Sequence, residues 1–183
     1  MKFVDVKNDI AFRKIFGNEN RKEVLISFLN AVQLLQNDKK IINVDILTLY
    51  QLPDIKGGKL TIVDVKAKDQ NEKTYIVDMQ VGEVDGFDKR VLYYASNSYS
   101  AQIERADEYE KLNPTFFIGI LDFKVTQNPS YINRHKIVAI ETGESFIKDI
   151  EFNFIELPKF TKTASELTPI IDQWIFFIKM LKI

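Results

Sequence analysis

The chain has 183 residues, 45% of them hydrophobic and 12% aromatic, with a formal net charge of −1 and a pI near 5.9. At that length about 70% of the unfolded surface can be buried in one core, and the balance of acids and bases excludes a uniformly basic nucleic-acid surface. The absence of cysteine excludes disulfides, thiolate metal sites and cysteine nucleophiles, and the lone His135 excludes a multi-histidine metal site.

Apolar residues recur at helical spacing over Asn8 to Phe16 and Asn20 to Gln33, on either side of Gly17 and Asn18, and predict two short helices in which Phe12, Ile15 and Phe16 pack. Val44 to Leu52 predicts a strand ending at Pro53. Lys56, Gly57, Gly58 and Lys59 then form a turn too short for a phosphate-binding loop. From Leu60 to Val81, two runs rich in Val, Ile, Thr and Tyr flank the polar segment Lys68 to Lys73, which is a hairpin signal.

Gly86 to Leu112 predicts one long helix crossing the sheet, with Val91, Tyr94, Ser98 and Ile103 along one stripe and Arg90, Glu104, Arg105 and Glu108 along another. On such a helix Tyr93, Tyr94 and Tyr99 read first as core, with base stacking as the alternative. Thr115 to Leu121 is nearly all apolar and suits a strand buried on both faces, and Lys136 to Glu141 and Ile150 to Leu157 predict two more strands. Thr168 caps a last helix, with Pro169 at its first position and Asp172 in its first turn. Trp174, Phe176, Phe177, Ile178, Met180 and Leu181 crowd that helix, so its apolar face either packs on its own sheet or seeks a second copy as a homodimer.

No stretch reads as a signal peptide or approaches the ~20 apolar residues that span a bilayer, so a cytoplasmic location without membrane contact is the expectation. No linker, repeat or low-complexity tract divides the chain, and residues 1–183 read as a single domain.

Folding the hairpin about residue 71 sets Asp64 opposite Asp78, with Cβ atoms roughly 5 Å apart, and places Ile62, Asp64 and Lys66 on one face with Ile76, Asp78 and Gln80. Carboxylates that close share a proton or need a cation, and one or two carboxylates plus water is a ligand set suited to magnesium. The spacing leaves a second reading open, in which the register slips and both acids lie on a solvated face. Lys56, Lys59, Lys66 and Lys68 near the hairpin, and Arg13, Lys14, Arg21 and Lys22 in the opening helices, form either a local phosphate-binding patch or ordinary solvated charge.

Six ordered blocks, Asp9 to Gly17, Leu25 to Asn30, Val63 to Ala67, Val77 to Gln80, Arg90 to Tyr94 and Glu156 to Phe160, make the chain resemble the PD-(D/E)XK nuclease superfamily. Within it the chain is similar to the Rpn family of recombination-promoting nucleases, described as transposase-like. The resemblance implies an α/β fold with a restriction-endonuclease-like mixed central β-sheet flanked by helices. It also implies a magnesium-dependent DNA endonuclease of low sequence specificity, associated with recombination or transposition and using no organic cofactor. Asp64 matches the first acid, and Asp78, Met79 and Gln80 match the acid-x-Lys block, with Gln as in Rpn-like chains and Asp one methylene shorter than their usual Glu. By this match Asp64, Asp78 and Gln80 are catalytic. Asp64, Asp78 and the Met79 carbonyl hold the metal, and Asp9 is either an outer-shell or second-metal ligand or a first-turn helix acid. Lys59, Lys66 and Arg90 are candidate DNA contacts, Arg90 either touching phosphate or pairing with a carboxylate. Rpn-like chains continue past the point equivalent to Ile183 with further helical sequence, so the resemblance implies a truncated chain. The alternative function is a catalytically impaired remnant that binds DNA or protein.

Overall fold

The computed structural model describes residues 5–48, 50, 51 and 61–180, with the side chains of 50, 51 and 61 excepted. Six strands form a mixed sheet in the order β1-β4-β5-β6-β8-β7, where β1 is Val44–Ile46, β4 Val65–Asp69, β5 Thr74–Gln80, β6 Thr115–Leu121, β7 Ile132–Lys136 and β8 Ile150–Glu156. β5, β6 and β8 run parallel and the remaining pairings are antiparallel. Helices α1 (Asp9–Phe16), α2 (Lys22–Gln33) and α4 (Ile170–Met180) cover one face, and α3 (Phe87–Ser100) covers the other.

The two layers follow from the period of two in β5. Tyr75, Val77 and Met79 join Phe12, Phe16, Phe28, Ile118 and Ile175 under the three helices, whereas Ile76 turns to Val91, Ala95 and Phe117 under α3. β6 is buried on both faces as its apolar run predicts. The first helix starts where Asn8 caps it by accepting from the Ile10 N–H at 3.0 Å, so Asp9 is a first-turn residue and not the cap. α4 settles onto α2 and α1, burying Ile171, Ile175 and Ile178, with Trp174 against Phe16 and Phe28 and its indole N–H donating to Ser27.

The hairpin pairs Val65 with Val77, Lys66 with Ile76 and Lys68 with Thr74, the register expected from a turn centred on residue 71. Its first strand is not continuous, however. Leu47 still bonds Lys66 across to β4 at 2.7 Å, but upstream the strands β2 (Tyr50–Gln51) and β3 (Thr61–Ile62) pair as a separate ribbon, Tyr50 opposite Ile62. Between the Tyr50–Ile62 pair and the Leu47–Lys66 bond the second strand runs one residue longer than the first, and that extra residue is a bulge around Asp64. The packing records it: Val63 lies in the α3 layer and Val65 in the opposite layer, although an unbroken strand would put both on one face. Ile62 is thus not on the strand or the face expected for it, and the strand expected over Val44 to Leu52 is divided at the same point.

The long helix expected to reach Leu112 ends at Ser100. No glycine or proline stops it; side chains do. Gln102 clamps the Asn113 backbone, donating to its carbonyl and accepting from its N–H, both at 2.9 Å, while the Asp107 carboxylate takes the Glu104 N–H. Ile103 therefore lies beyond the stripe on which it was expected. The strand expected over Lys136 to Glu141 lies earlier, at Ile132–Lys136, because that segment is the one that finds a partner in β8. Lys56 to Lys59 and Leu181 fall outside the described residues.

At the C-terminal ends of β6 and β8 the Glu156 to Phe160 block forms a buried polar knot. Glu156, fully buried, accepts from Lys159 and the Val125 N–H at 2.8 Å, from the Thr126 hydroxyl at 2.7 Å and from Asn133 at 2.9 Å. Burial alone would raise the Glu156 pKa, but these donors outweigh it and hold the group below its ordinary value. Lys159 also donates to the carbonyls of Thr126 and Asn128, so the pair pins the loop after β6. Glu156→Ala leaves the buried Lys159 ammonium without its counter-charge and should cost about 3–5 kcal/mol in urea unfolding, whereas Glu156→Gln, which keeps the acceptor, should cost clearly less. Equal losses would show that the charge pair is not what holds the loop.

Candidate metal centre

The bulge delivers Asp64 to the end of β5. Its Oδ2 accepts from the Met79 N–H at 2.9 Å and its Oδ1 from Arg13 Nε at 3.0 Å. Asp78 projects from β5 toward the α3 side, and its Oδ2 accepts from Gln80 Nε2 at 2.8 Å. Both carboxylates are only 4% exposed. Asp9 and Arg13, one turn apart on α1, look toward the same place; Asp9 adds repulsion that raises the Asp64 pKa.

Two acids in one buried spot perturb each other. Burial, then the negative charge of Asp64, push Asp78 up to about 7, against weaker pulls from Gln80, the positive charge of Arg90 and the Asp64 backbone. Asp64 is also raised, chiefly by burial, although the Met79 N–H and Arg13 favour its ionised form. Near neutral pH Asp78 therefore carries its charge only in part, even with Arg13 on Asp64 and Arg90 nearby.

Arg90 lies across from Asp78 on the first turn of α3, behind Gly86, whose φ of 70° favours a residue without Cβ. Its guanidinium stands 5.5 Å from the centre of the Phe87 ring and 6.0 Å from that of Tyr94, while Nε and Nη2 are buried with no hydrogen-bond partner. Among the described residues it forms no ion pair within 4.0 Å, so the carboxylate-pairing alternative for Arg90 has no contact behind it. Lys66 follows Asp64 on the strand; burial, then the charge of Lys68, lower its pKa.

Of the residues singled out in the sequence, Asp64, Asp78, Met79 and Gln80 converge, with Arg90 facing them. Asp9 stays nearby without completing a set: among the described residues no three acidic or histidine side chains gather closely enough to hold a metal. Lys59 lies outside the described residues, and Lys68, Arg21 and Lys22 are paired with Glu72, Glu23 and both Glu19 and Asp45. Tyr99 is bound to Asp149 at 2.7 Å at the far end of α3, which removes it from the site. The direct contact of Arg13 with Asp64 was not foreseen; its four-residue spacing from Asp9 on one helix is the signal that carries it.

Two buried acids side by side fit a divalent cation bound by few protein ligands, and Asp78 should report its absence. A carboxyl whose folded pKa lies above its unfolded value binds its proton more tightly when folded, so stability falls as pH rises from about 4 to about 7. In EDTA, Asp78→Asn should therefore raise the Tm by several degrees at pH 8 and by little at pH 4.5. A gain independent of pH would contradict the charge repulsion.

The comparison with families gives one result: residues 6–182 match the model of the PD-(D/E)XK nuclease family transposases. No curated protein and no solved structure was found to match. With the mixed sheet flanked by helices and a match over nearly its whole length, the chain belongs to the PD-(D/E)XK nuclease family transposases.

Proposed function

We propose that this chain is a magnesium-dependent DNA endonuclease that hydrolyses phosphodiester bonds with little sequence preference, in the service of recombination or transposition. The observation that carries the reading is the burial of Asp64 and Asp78 together, with a repulsion that Arg13 and Arg90 offset only in part and that a divalent cation would relieve. Asp64, Asp78 and the Met79 carbonyl would hold the ion, with Asp9 in an outer position. When bound, such an ion polarises the phosphoryl oxygen and acidifies water.

The residues of the chain do the positioning. The amide of Gln80 is anchored through its nitrogen on Asp78, which leaves its oxygen to accept a hydrogen bond that orients an attacking water. Arg13 steadies Asp64 in the rotamer that meets Met79. Arg90 offers unpaired N–H groups to the scissile phosphate, whose charge its planar fork suits. Contacts confined to phosphate carry no sequence information, which is the ground for low specificity.

A second reading is a binding remnant without turnover. It is favoured by the two-acid site and by Gln80, which cannot supply the positive charge of a lysine.

Supercoiled plasmid incubated with the protein decides between them. Nicking that needs magnesium and disappears in both Asp64→Ala and Asp78→Ala supports the nuclease; the same background in every sample supports the remnant. Arg90→Gln should lower cleavage by about 10–100-fold, the loss of a charged hydrogen bond to phosphate, while Arg90→Lys recovers only part of it. Full activity of Arg90→Gln would remove Arg90 from the site.

A further inference from the structure

A cavity of about 330 Å³ opens beside α3, on the side away from Asp78, with walls from Phe87, Leu92, Phe152 and Phe154 and with Asp88 and His135 at its edge. The sheet register ties it to the acids. Asp78 on β5 pairs with Gly119 on β6, and Gly119 pairs with Phe154 on β8, so one row of residues on the α3 face runs from the acid to the aromatic wall. Two strand spacings make that distance roughly 10 Å. Gly119 keeps the row low: a Cβ there would stand 3.1 Å from the Phe154 ring and 3.3 Å from that of Phe117.

Phe87 joins the two places. Its ring lies beneath the Arg90 guanidinium and, 6.0 Å from the Phe154 ring centre, also forms part of the cavity wall. A ligand that answers both features carries an anion for the unpartnered guanidinium nitrogens and a flat apolar ring for the cavity, with polar edges for Asp88 and His135. A nucleotide has all three. Bases inside a duplex are stacked and paired, and one reaches such a wall only when unpaired.

We propose that the cavity between α3 and β8 receives an unpaired base of the nucleic-acid strand whose phosphate meets Arg90, so that the preferred substrate is single-stranded or locally unpaired. This rests on the phosphodiester reading above and names its substrate class.

The test is binding of a short oligonucleotide carrying one 2-aminopurine, as a single strand and annealed to its complement, in EDTA so that nothing is cut. The single strand should bind more tightly, with its emission quenched by stacking. Leu92→Trp, which fills the cavity from an exposed position, and His135→Ala should weaken single-strand binding at least about fivefold and leave duplex binding unchanged. Equal affinity for both probes, or variants that weaken both alike, would overturn the proposal. Because this assay reads binding alone, its failure is distinct from a failure to nick plasmid.

Discussion

Two carboxylates held together out of water set the terms for the rest of this fold. Asp64 and Asp78 would repel one another wherever they met, and burial strengthens that repulsion by weakening its screening. The chain spends several devices on keeping them there. A bulge re-aims Asp64 from a strand that would otherwise carry it past, the Met79 N–H and Arg13 grip its two oxygens, and Gln80 fixes its neighbour. A protein gains no stability from such an arrangement without a counter-ion, which is why strained, partly compensated acids point to chemistry.

The surrounding architecture places those acids toward one end of the sheet. β5, β6 and β8 run parallel and end together, and the connections that follow them are tied down by Lys7 to Asp122 at one strand end and by the Glu156–Lys159 knot at another. α3 lies across the same face with its N-terminal turn toward the acids, so Arg90 reaches the site from above while Phe87 closes the apolar layer beneath it. The buried ion pair Glu156–Lys159 belongs to the scaffold and not to the acid pair, since its hydrogen bonds go to the loop after β6 and to Asn133 on β7.

Much of this was legible in the residues. The polar turn and the β-rich runs around it gave the hairpin register from Lys68–Thr74 as far as Val65–Val77, though not the ladder pair expected between Asp64 and Asp78, the apolar run from Thr115 to Leu121 gave the central strand to the residue, and the family blocks gave the mixed sheet. What escaped notice was decided by contacts between distant residues. A bulge has no local signature when its glycine is missing, so the division of the strand at Asp64 depends on which partner, β2 or β5, each half can reach. The end of α3 at Ser100 depends on Gln102 finding Asn113 eleven residues later, in a stretch whose own propensity continues a helix. The Arg13 contact was hidden because Arg13 looked like one more solvated cation in a helix that carries several.

Calorimetric titration of the metal-free protein with magnesium tests the central claim most directly. One saturable site per chain, lost in Asp64→Ala and in Asp78→Ala while Arg90→Gln keeps it, is the result expected if the two acids are the ligands. The absence of saturable binding, or binding that survives both acid substitutions, would contradict it.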